Sequence, residues 1–145
     1  MQFSEVMHLG TAQVVRMQLT KAQLMTKLLR HFIERQMETP SDFTLEGVHL
    51  LPSLVSQLHE RQSADVKSMF VVSFDRELVL SGLRSIADDH DWMHGASEET
   101  QQAMADFVVG YSREVKNQAE KEGLLIFERT GNFQQDMEAM VRFLQ

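Results

Sequence analysis

Apolar residues along this chain recur mostly at intervals of three and four, the pattern of helices that bury one side. The clearest run spans about Lys21 to Met37. Thr20 and Gln23 have capping-box spacing. Leu24, Met25, Leu28, Leu29, Phe32 and Ile33 gather on one side, with Lys27, Arg30, His31 and Glu34 opposite. This predicts a core-facing stripe and a solvated polar face, the latter also suited to docking an acidic partner.

Upstream, Val15 to Thr20 alternates like a half-buried strand, yet Phe3, Met7, Val14, Met17, Leu24 and Leu28 fit helical spacing. One helix over 4–37 would be about 51 Å long, against about 38 Å for the diameter of a compact protein of this size. A break near Gly10 or Thr20 is therefore expected, or a helix that protrudes to pair with a second subunit.

Pro40 and Pro52 bracket a polar connector. The segment Phe43 to Gln62 reads as a turn and then a helix turning Leu50, Leu51, Leu54, Val55 and Leu58 inward, with Pro52 in its first turn. Ser68 to Phe74 is apolar at nearly every position and fits either a buried strand or a buried helix. From Asp75 the spacing of Leu78, Val79, Leu83, Ile86 and Ala87 is helical, with an end expected around Asp89 to His94 and Gly95 just beyond it. Ser97 caps a long helix with Glu98 and Glu99 in its first turn and Lys121 in its last. Its stripe is Met104, Phe107, Val108, Tyr111, Val115 and Ala119, and Gly123 stops it. Leu124 to Glu128 reads as a short strand. Gly131 and Asn132 then provide a turn and a cap for a closing helix expected to bury Phe133, Met137, Met140, Val141 and Leu144.

These elements predict a mainly α, compact multi-helix fold occupying 1–145 as a single domain. The alternative is an α+β arrangement with a small sheet from segments 14–19, 69–74 and 124–128.

Composition narrows the function classes. Hydrophobic residues are 43% and charged residues 24% of the chain, a globular balance. The net charge of −7 is uneven: residues 1–40 hold five Lys/Arg against three acids, and the remainder nine against eighteen. That field opposes duplex nucleic acid, which needs a basic stripe. The chain has no cysteine, which removes disulfides, Cys-based zinc sites and thiol nucleophiles. No secretory leader or bilayer-length apolar run is visible, so a cytoplasmic protein without a membrane partner is expected.

The local cluster that stands out as candidate chemistry is Asp88-Asp89-His90-Asp91-Trp92-Met93-His94. On a helix, His90 and His94 would share a face at a spacing that can hold a divalent metal, or either could ligate haem iron. Asp91 stands where the zinc-protease pattern has glutamate, and histidines at a helix end also suit the C-terminal dipole without any metal. His8, His31, His49 and His59 are scattered singly and are expected to face solvent. There is no Gly-x-Ser-x-Gly, the seven glycines are dispersed, and the adjacent pairs Asp88/Asp89 and Glu98/Glu99 would diverge on a helix. No catalytic residue and no cofactor are assigned.

Ten methionines, with Met17, Met25, Met37, Met104, Met137 and Met140 on or beside apolar stripes, give the mild positive signal. The expectation is a non-enzymatic regulatory, adaptor or chaperone-like protein that binds another protein through an apolar, Met-containing helical surface and forms a homodimer. The alternative is a metal- or haem-binding protein using His90 and His94.

Overall fold

The structure, a computed structural model, describes residues 9–61, 66–85, 91 and 93–144. Among them are five helices: α1 (Thr11–Met37), α2 (Pro52–Arg61), α3 (Arg76–Arg84), α4 (Glu98–Lys121) and α5 (Phe133–Leu144). Two short strands, β1 (Phe70–Val72) and β2 (Ile126–Glu128), complete the elements. The fold is thus mainly α. The strands are parallel, with Phe70 opposite Ile126, Val71 opposite Phe127 and Val72 opposite Glu128.

Helix α4 is the centre of the fold and packs against α1, α2, α3 and both strands. Its first turn is built as the sequence predicts: the Ser97 hydroxyl accepts from the Thr100 backbone N–H, and Glu98 and Glu99 follow. Gly123, at φ +65°, takes the left-handed conformation that ends it. Three apolar clusters surround α4 and α2. Val55, Phe70, Val72, Val115 and Ala119 pack under the sheet. Ile33, Leu54 and Leu58 join α1 to α2. Val79, Leu80 and Ala105 join α3 to α4. Arg76 Nε adds a 2.6 Å bond to the Asp106 carboxylate between α3 and α4. The Ser73 backbone N–H donates to the Ser112 hydroxyl, pinning the end of β1 to α4 through two buried serines.

Several elements differ from the sequence expectation. Residues 14–19 are helical, inside α1, and join no sheet. Local alternation there is overridden because Val14 and Val15 are buried as consecutive positions of a helix, and Gly110 lets α4 approach to where a Cβ would lie 3.2 Å from Val15 Cγ2. The break falls at Gly10, the α1 N-cap. The two other apolar segments supply strands at 70–72 and 126–128, narrower than 69–74 and 124–128. Helix α3, capped by the Asp75 carboxylate accepting from Glu77 and Leu78 N–H, ends at Arg84 with Ser85 as C-cap, earlier than the pattern predicts. Ile86, Ala87 and the expected helix end at Asp89 and His90 lie outside the described residues.

Candidate protein-docking surface

Helix α1 is apolar on two sides. Ala22 and Ile33 are buried, with Leu29 half-buried beside the cluster around Leu54. Leu24 and Ile33 are nine positions apart in the sequence, about two and a half turns, and so point in opposite directions. Leu24, Leu28 and Phe32, spaced four residues apart, form a ridge along three successive turns that is 80%, 67% and 46% exposed. The expected single core-facing stripe therefore splits into a buried side and a solvent-facing ridge. Only one side of a surface helix can face α2 and α4, and the apolar positions of α1 cover more than one side.

Basic groups border the ridge. Lys21, Lys27, His31 and Arg35 are exposed, with Arg35 paired to Glu38 one turn on. Arg30 leaves this set by turning toward α2, where its guanidinium donates to Gln57 Oε1 at 3.1 Å. Helix α1 carries five of the chain's Lys/Arg and one acid, whereas the rest holds nine bases and twenty acids.

The connector after α1 returns alongside it. Leu50 packs on the α1–α2 cluster, and the Tyr111 hydroxyl of α4 donates to the Val48 carbonyl. His49 lies near enough to Lys21 that its pKa is lowered from 6.5, first by burial and then by the lysine charge. Its Nε2 is shut off from solvent with no hydrogen-bond partner. Burial also raises the Tyr111 phenol to about 12, keeping it a neutral donor. Phe43, Leu45 and Val48 on this connector are exposed and add apolar surface.

Helix α5 has a second ridge of the same spacing. Phe133, Met137 and Val141, expected inside, are exposed, and Phe133 is 70% so. The inner side is held instead by Asp136, whose carboxylate accepts from the Thr130 N–H and hydroxyl, and by half-buried Met140, while Phe143, itself exposed, meets Phe127 edge-on at 6.5 Å. Those hydrogen bonds from Thr130 hold the Asp136 carboxyl below its ordinary range. An open depression along α5 is lined by Gln134, Met137, Glu138, Val141 and Arg142, all residues of that one helix.

Of the metal candidates, His94 is exposed and lies in a turn where its N–H donates to the Asp91 carbonyl, while His90 is outside the described residues. Among the described residues no group of three or more His, Cys, Asp or Glu could hold a metal ion. His49 and His59 are half-buried and do not face solvent as expected; His59 Nε2 meets the Ser68 hydroxyl at 3.1 Å. His31 is exposed, and His8 is outside the described residues. The methionines divide: Met93 and Met104 are buried, Met17 and Met25 are half-buried on α1, and Met137 is exposed on α5. No helix among the described residues is long and apolar enough to cross a membrane.

The chain matches no family model, no curated protein and no solved structure. Among the described residues, the ridges of α1 and α5 gather most of the exposed large apolar side chains. Their signal is present in the sequence, since helical spacing sets Leu24 opposite Ile33. It is lost when every apolar position is assigned to one core.

Proposed function

We propose that this protein is a non-enzymatic binding domain that docks a helix of another protein, in the cytoplasm, on the outer ridge of α1. The observation that carries the reading is the exposure of Leu24, Leu28 and Phe32 on successive turns. Scattered exposed apolar residues are ordinary, but a contiguous apolar patch on a surface helix marks a contact site. Anchors at i, i+4 and i+8 are the spacing by which one helix grips another. Half-buried Met17 and Met25 give the same helix adaptable thioether edges.

A photo-crosslinking phenylalanine analogue at position 28, expressed in the cell of origin, tests this. It is expected to trap a second polypeptide, whereas the same group in place of the exposed Asn117 of α4 traps none, and L24S/F32S in the same chain removes the product. Equal yields at positions 28 and 117 would overturn the reading.

A further inference from the structure

We infer that the occupant of the α1 ridge is an acidic amphipathic helix of a different protein, and not a second copy of this chain. The inference rests on the docking role proposed above and deepens it through charge. The exposed groups along the ridge are Lys21, Lys27, His31 and Arg35, with Glu38 beside Arg35. The whole helix has five bases against one acid. Pairing two copies along this ridge sets like charges across the seam in either direction. A parallel pair places each lysine against itself, and an antiparallel pair centred on Leu28 sets Lys21 across from Arg35, which already shares its charge with Glu38, so that self-pairing supplies neither Lys21 nor Lys27 with an acid. Like charges flanking a helix seam select against self-pairing, and opposite ones select a partner. The acids outside α1 also raise the cost of bringing two whole copies together. A partner helix with apolar anchors and flanking Glu or Asp satisfies both parts of the surface. The ridge's three side chains would be covered, and Lys21 and Lys27 would gain counter-charges.

The test uses the intact chain and two labelled peptides of about three heptads, with leucine at the core positions and either Glu or Lys at the flanking ones, read by fluorescence anisotropy. Each surface ion pair shifts an equilibrium about two-fold, so a few pairs give about a ten-fold preference for the Glu peptide. That preference should fade as salt rises toward about 0.5 M. K21E/K27E should reverse it, and L24S/L28S/F32S should abolish binding of both peptides while the circular dichroism spectrum stays unchanged.

Equal affinity for both peptides would overturn the acidic-partner inference and leave the docking ridge standing. Binding of neither would overturn the inference, with the crosslink at position 28 then deciding the docking role separately. Sedimentation that shows a dimer abolished by L24S/L28S/F32S would overturn it in favour of a second copy. Flotation with phosphatidylcholine vesicles containing phosphatidylglycerol, lost in the same variant, would overturn it in favour of a lipid surface.

Discussion

Leu54 and Leu28 are the same residue type in opposite circumstances. Leu54 is fully buried between α1 and α2, and Leu28 is 67% exposed. Leu54→Ala is therefore expected to lower stability by about 2–5 kcal/mol, and Leu28→Ser to change it by less than about 0.5 kcal/mol, both read from urea denaturation. A large loss in Leu28→Ser would mean that the ridge is covered within the fold. His49 supplies a pH dependence. Its pKa is lowered in the fold by burial and by Lys21, so the unfolded chain binds its proton more readily. The contribution of this site is complete above 6.5, the unreduced value, and is lost as pH falls through the folded pKa. His49→Gln should flatten the stability profile on the acid side of neutrality. An unchanged slope would remove His49 as its source.

Helix α5 is held at its start by the turn before it. Gly131 has φ +93°, and a Cβ there would lie 2.6 Å from Leu78 Cδ1. Asn132 caps the helix by accepting from the Gln135 N–H. Gly131→Ala should cost about 1–2 kcal/mol, from the left-handed backbone alone, and Asn132→Ala about 1 kcal/mol. Because α5 is only lightly packed on the other elements, its amides should exchange with deuterium faster than those of α4. Mass spectrometry of peptides from the two helices would show it.

The capping-box spacing of Thr20 and Gln23 marks no helix start, because α1 runs through both residues from Thr11 with Gly10 as its N-cap, whereas three other signals held. Ser97, Asn132 and Gly123 act through local hydrogen bonds and backbone conformation, which neighbouring residues determine. Periodicity found α4 and α2 for the same reason. What it lacked was the tertiary arrangement. Val15 to Thr20 reads equally as strand or helix until α4 packs against it. Likewise, the apolar faces of α1 and α5 cannot be divided into inside and outside until their neighbours are placed. The exposed ridge of α1 depends on that division, so it was the least visible feature, although its residues were named.

At the scale of the whole molecule, α1 has a net positive charge while the remainder is strongly acidic. Such a separation of charge would orient the acidic partner proposed above before contact. The sheet has a different consequence. Its strands are parallel, so the chain must travel from Val72 to Ile126, through α3 and α4, before the pairing can close. Strands of three residues have little stability of their own. Ordering so long a loop precedes any reward from its ends meeting. The helices should therefore collapse first and the strand pair zip up after the rate-limiting step. Val72→Ala is then expected to accelerate unfolding while leaving the refolding rate nearly untouched in stopped-flow chevron measurements.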